Sequence, residues 1–120
     1  MLAGKFYTIV SRQQPAENSI HYTIDWNGAH PIFEGHFPGQ PVVPGVCMMQ
    51  TIQELVSAAV GKKLLVEKAS NMKFLNMIDP RVSPQVTVEI GFTEEEGGYK
   101  TNAVIKHEAT TFLKFQGRFK

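Results

Sequence analysis

The sequence predicts an α+β domain in which an antiparallel sheet of about six strands curls around one long central helix. Three observations lead there. Period-two alternation marks several short segments, a single long run of helix formers stands among them, and the order is two strands, one helix, then roughly four strands. One mostly apolar helix among many antiparallel strands has to be buried by a sheet wrapped round it. At 120 residues with 42% hydrophobic content, the chain suffices for one core and not two, so residues 1–120 read as a single domain.

The first strand is expected over Lys5 to Gln13, a run rich in β-formers, followed by the turn-like stretch Gln14-Pro15-Ala16-Glu17-Asn18. Ile20, Tyr22, Ile24 and Trp26 then alternate with His21, Thr23 and Asp25, which is the pattern of a half-buried strand completing a hairpin. Asn27 to Pro44 holds His30, His36, four of the seven prolines and Gly28, Gly35 and Gly39, so no regular element is expected there. Long loops inside compact domains tend to be functional, and chemistry is sought in this one.

Pro44 suits the start of a helix and Gly61 its end, bracketing Val46 to Val60 without an interior Gly or Pro. Gln50, Gln53, Glu54 and Ser57 fall at i, i+3, i+4 and i+7, a narrow polar stripe on an otherwise apolar cylinder, so most of the helix should be buried. Strands follow at about Glu67 to Ile78, Gln85 to Glu94, Gly98 to His107 and Thr110 to Phe119. Val86, Val88, Ile90 and Phe92 alternate most cleanly, and Glu95-Glu96-Gly97-Gly98 marks a hairpin turn.

Twelve basic and eleven acidic side chains nearly cancel, which disfavours a nucleic-acid backbone or an anionic membrane as partner. The single cysteine, Cys47, excludes an internal disulfide, and His21, His30, His36 and His107 are too scattered for a zinc site, so no metal is expected. No stretch approaches the ~20 apolar residues of a membrane span, and the N-terminus lacks the apolar core and cleavage site of a signal peptide. A cytoplasmic location is the expectation.

From His36 to Glu54 the chain reads HFPGQPVVPGVCMMQTIQE. This segment resembles the signature of hotdog-fold 3-hydroxyacyl-(acyl carrier protein) dehydratases, a His-Phe-Pro-Gly turn followed by Pro-x-x-Pro-Gly-Val and the central helix. His36, Phe37, Pro38, Gly39, Pro41, Pro44, Gly45, Val46 and Met48 match it, and the strand order agrees over nearly the whole chain. The resemblance implies a hotdog fold and dehydration of a 3-hydroxyacyl thioester to the trans-2-enoyl thioester, without a cofactor. It makes His36 the base that removes the C2 proton, a role suited to an imidazole that titrates near neutrality. Gly45 or Val46 would polarise the thioester carbonyl through a backbone N–H at the helix N-terminus, with Phe37 and Met49 also meeting substrate. The implied partners are an acyl carrier protein bearing the 3-hydroxyacyl group and a second copy of the chain, as a homodimer or a higher oligomer of dimers whose subunits complete each other's sites.

One position departs from the pattern. Fourteen residues after the motif histidine the family carries Glu, which helps the C3 hydroxyl leave, and this chain carries Gln50. An amide can hydrogen-bond a hydroxyl but is no general acid. One turn later, where the family often has Gln, stands Glu54, about 6 Å further along the helix axis. Glu54 is therefore the candidate substitute acid, set against a reading as a stripe charge paired at an interface. Two alternatives to a dehydratase stay open: a catalytically reduced subunit that binds acyl chains or pairs with an active paralogue, and an acyl thioesterase on the same fold. His30 and Cys47 read as structural, Met48, Met49 and Met72 as core or tunnel lining, and Lys62, Lys63, Lys68, Lys73 and Arg81 as surface able to meet an acidic carrier.

Overall fold

A computed structural model of the chain describes residues 2–35 and 41–120. The elements run β1 (Tyr7–Ala16), β2 (Ser19–Trp26), α1 (Ile32–Gly35), α2 (Gly45–Val60), β3 (Val66–Phe74), β4 (Gln85–Glu95), β5 (Gly98–His107) and β6 (Thr110–Phe119). The six strands form one sheet in the order β1-β2-β4-β5-β6-β3, every neighbouring pair antiparallel. One long helix against one curled antiparallel sheet is the α+β hotdog architecture that the sequence predicts.

Alternation decides which face of each strand meets the helix. Ile20, Tyr22, Ile24 and Trp26 of β2, Val86, Val88 and Ile90 of β4, and Tyr99, Ala103 and Ile105 of β5 are buried in one cluster with Cys47, Met48, Ile52, Leu55 and Val56 of α2. The Tyr22 hydroxyl donates to the Leu55 carbonyl at 3.2 Å, pinning helix to sheet. The β4–β5 hairpin turns through Glu96 and Gly97, whose φ angles of 51° and 76° match the right-handed twist of the strands it joins. Gly117 on β6 has no substitute: a Cβ there would overlap the Lys68 carbonyl of β3 and lie 2.5 Å from Phe115 Cζ.

The structure departs from the sequence expectation in three places. The loop from Asn27 carries a single helical turn, α1, because Pro31 presets the first-turn φ and His30 Nδ1 accepts the Ile32 N–H at 3.1 Å. The strand expected to reach Ile78 ends at Phe74. Beyond it the Leu75 N–H bonds to the Phe112 carbonyl and the Asn76 amide to the Thr111 carbonyl, turning the chain so that Ile78 is buried instead of continuing along the edge. Finally, only one side of α2 is covered. Val46 is 77% exposed, Ala58 is exposed, and Met49, Gln50 and Gln53 are half-buried, since the sheet wraps the opposite side of the helix. No helix among the described residues is long and apolar enough to cross a membrane.

Candidate functional site

Two grooves meet at Gln50 and Gln53 on the open side of α2, one between the helix and the edge strand β3 and the other between the helix and the turn that follows it. The first, about 480 Å³, is walled by Val46, Met49, Met72 and Phe74 and begins at Gly45. The second, about 490 Å³, runs along Glu54 and Ser57 to Lys62 and Lys63. Gly45, Val46, Met49, Gln50 and Glu54 are thus brought to one surface. His36 and Phe37 lie outside the described residues.

At the start of the first groove, Pro44 is extended (φ −63°, ψ 146°) and caps α2 without a side-chain hydrogen bond. The N–H groups of Cys47 and Met48 bond to the Pro44 carbonyl, whereas those of Gly45 and Val46 meet no acceptor among the described residues. No acidic side chain in the first turn offsets the positive end of the helix dipole. Phe74 presses on this end, since a Cβ on Gly45 would stand 2.9 Å from Phe74 Cζ, so glycine is what lets the ring close the groove.

The polar stripe of α2 lines these grooves and also serves as tethers. Gln53 Oε1 accepts the Val66 N–H at 3.0 Å and fixes the start of β3. Ser57 Oγ accepts the Leu64 N–H at 3.0 Å and closes the turn after the helix. Glu54 is 9% exposed, and its carboxylate receives four donors: the Leu2 N–H at 2.8 Å, the Ala3 N–H at 2.9 Å, the Tyr7 hydroxyl at 3.0 Å and Gln50 Nε2 at 2.9 Å. A carboxylate has about four lone-pair directions, and all are taken. Burial pushes its pKa up, but the bonds from Leu2, Gln50, Tyr7 and Ala3 outweigh that and hold it below the ordinary carboxylate range. Burial, reinforced by the Glu54 charge, raises the Tyr7 phenol far above its ordinary value, so the hydroxyl stays a donor. A general acid needs a raised pKa and a proton near neutrality; this environment holds Glu54 ionised.

The tethers to Leu2, Ala3 and Tyr7 were invisible to sequence reasoning, because they join positions some fifty residues apart and no local pattern marks them. Gln50 and Gln53 are the polar groups at the meeting of the grooves, and among the described residues no carboxylate lines the apolar groove. Of the other candidates, His30 packs edge-on to Phe6 at 5.3 Å and caps α1, Cys47 is buried in the core with its thiol pKa raised by burial, and no cluster of three or more His, Cys, Asp or Glu forms among the described residues.

Comparison with known proteins agrees with this architecture. Two curated relatives are 3-hydroxyacyl-(acyl carrier protein) dehydratases FabZ. That of Clostridium acetobutylicum is 30% identical over 89 residues, covering 68% of this chain and 62% of that protein. That of Cereibacter sphaeroides is 32% identical over 93 residues, covering 73% of this chain and 53% of that protein. The chain therefore spans between about half and three-fifths of these relatives' length. A solved dehydratase heterocomplex, ApeI:P from Xenorhabdus doucetiae, superposes with a TM-score of 0.74 over 93% of this chain and 96% of that one at 18% identity, a likeness of fold. The ApeI-like family, described as ApeI dehydratase, matches residues 12–115, most of this sequence, and the chain belongs to that family.

Proposed function

We propose that the chain is a hydro-lyase that converts a 3-hydroxyacyl thioester on an acyl carrier protein into the trans-2-enoyl thioester. The observation that carries the reading is the groove leading from the end of α2 where the Gly45 and Val46 N–H groups meet no acceptor among the described residues, past Gln50, between Val46, Met49, Met72 and Phe74. The Gly45 or Val46 N–H polarises the thioester carbonyl, which acidifies the C2 proton, and the apolar walls take the acyl chain. Phe37, next to the motif histidine, is assigned a substrate contact. His36 removes the C2 proton. The electron pair forms the C2–C3 double bond, the C3–O bond breaks, and the departing hydroxide leaves as water. Since Glu54 is held ionised by four donors, the proton for the leaving group comes back from the His36 imidazolium, with Gln50 hydrogen-bonding the hydroxyl. Neither metal nor organic cofactor is needed for this balance.

The exposed apolar side of α2 and β3, with Val46 at 77% exposure and Phe74 at 52%, favours a second subunit across it, in a homodimer or an oligomer of dimers. A carrier-bound substrate places the work in the cytoplasm. The second reading is that of a subunit paired with an active paralogue, which would supply the missing carboxylate. It is favoured by the absence of a carboxylate along the apolar groove among the described residues, and a relative of this fold is itself a heterocomplex.

Mass-spectrometric turnover of the purified chain with a short 3-hydroxyacyl-(acyl carrier protein) separates the readings. Enoyl product from wild type, lost by at least ~10²-fold in His36→Ala, supports the hydro-lyase. An inert wild type revived by Gln50→Glu or by a second subunit supports pairing, and free fatty acid identifies a thioesterase instead.

A further inference from the structure

We infer that Glu54 is a positioning residue for Gln50, tying the amide nitrogen back so that the amide carbonyl is the group that receives the 3-hydroxyl of a bound acyl thioester. The inference deepens, and rests on, the assignment of the open face of α2 as an acyl site. Its basis is hydrogen-bond chemistry. An ionised carboxylate only accepts, so an amide 2.9 Å from it approaches through nitrogen; the opposite orientation would set two acceptors against each other. The carboxylate is in turn immobilised by Leu2, Ala3 and Tyr7, so it does not swing to follow the amide. The Gln50 carbonyl meets no donor among the described residues, while its side chain lines both grooves.

Two features of this chain then have one explanation. The exchange of carboxylate and amide along the stripe converts a proton-donating position into a fixed acceptor. A hydroxyl that donates to Gln50 keeps its oxygen lone pairs for the proton returning from His36. The same bond is a specificity element, because a saturated acyl chain offers the carbonyl nothing. Binding selectivity for 3-hydroxyacyl over saturated acyl groups is therefore set by Gln50 and, through it, by Glu54.

The test uses the full chain and two amide-linked pantetheine analogues, 3-hydroxybutyryl and butyryl, whose C2 protons are too weakly acidic to be removed during titration. Calorimetry should show wild type preferring the hydroxylated analogue by about 3- to 10-fold, the size of one neutral hydrogen bond. Both Glu54→Ala and Gln50→Met should bring that ratio to about 1. A Glu54 that merely braces the fold would weaken both analogues together and leave the ratio intact, which would overturn the inference. Should Glu54→Ala fail to fold, Gln50→Met decides, since a retained ratio is equally fatal. Equal binding of the two analogues by wild type removes the inference and leaves the acyl site; no binding of either removes both.

Discussion

Replacing Glu54 by alanine removes the acceptor for four donors at once, and the structure sets the scale of the loss. Hydrogen bonds to a charged group contribute about 1.5–3 kcal/mol each, but they do not add here, because the backbone donors Leu2 and Ala3 are only part-buried and can turn to water if the segment before β1 loosens. The Tyr7 hydroxyl has less freedom, on a residue 1% exposed and packed at 6.4 Å from the Trp26 ring. One buried donor left unpaired, together with the loss of the charged bonds that water replaces only in part, gives about 2–4 kcal/mol. At 120 residues that corresponds to roughly 8–16 °C in Tm. Urea unfolding at neutral pH measures it directly, with Tyr7→Phe and the double variant closing a cycle in which the pair should couple by at least ~0.5 kcal/mol. A loss below ~0.5 kcal/mol in Glu54→Ala would refute the assignment of Glu54 as the anchor of the N-terminal segment.

Three more predictions follow from the same geometry. The folded-state pKa of Glu54 lies below its unfolded value, so its stabilisation is complete above about pH 4.3 and is lost as the pH falls through the depressed folded value. Glu54→Gln should flatten the acid limb of the stability–pH curve, and an unchanged limb would contradict the pKa direction. Gln50→Glu would set a second carboxyl about 3 Å from Glu54, where both cannot ionise together, so carboxyl NMR should show one proton retained well above the ordinary range; two ordinary titrations would show the pair is not in contact. Gly117→Ala drives a methyl into the Lys68 carbonyl and should cost more than ~2 kcal/mol by denaturant melt, while a neutral effect would mean that β3 and β6 sit further apart than described.

The fold was legible because its cues are local. Alternation in β2 and β4 assigns the buried face residue by residue, Pro44 and Gly61 bracket α2, and Glu96–Gly97 supplies the turn that closes β4 onto β5. The end of β3 was not, because what stops it is a side-chain bond from Asn76 to a carbonyl on another strand, and that has no signature in the segment itself. Motif and helical spacing nominate Gly45, Val46, Met49, Gln50 and Glu54, and the fold brings these five to one surface. Their chemistry was not settled by spacing. The stripe predicts that Gln50 and Glu54 are neighbours, whereas the bonds from Leu2, Tyr7 and Ala3, which join Gln50 in holding Glu54 ionised, come from a segment some fifty residues away.

The proposal at the centre of this account is that the chain removes water from a 3-hydroxyacyl thioester through His36 and without a helix carboxylic acid. The most direct measurement follows a carrier-bound 3-hydroxyacyl group with the purified protein in deuterated water, reading by mass both deuterium at C2 and loss of water. The account predicts enoyl product and C2 exchange with wild type and with Glu54→Gln, the variant slower by no more than about tenfold, the size of one neutral hydrogen bond, and neither with His36→Ala. Exchange or elimination that survives in His36→Ala, or that disappears in a folded Glu54→Gln, would contradict it.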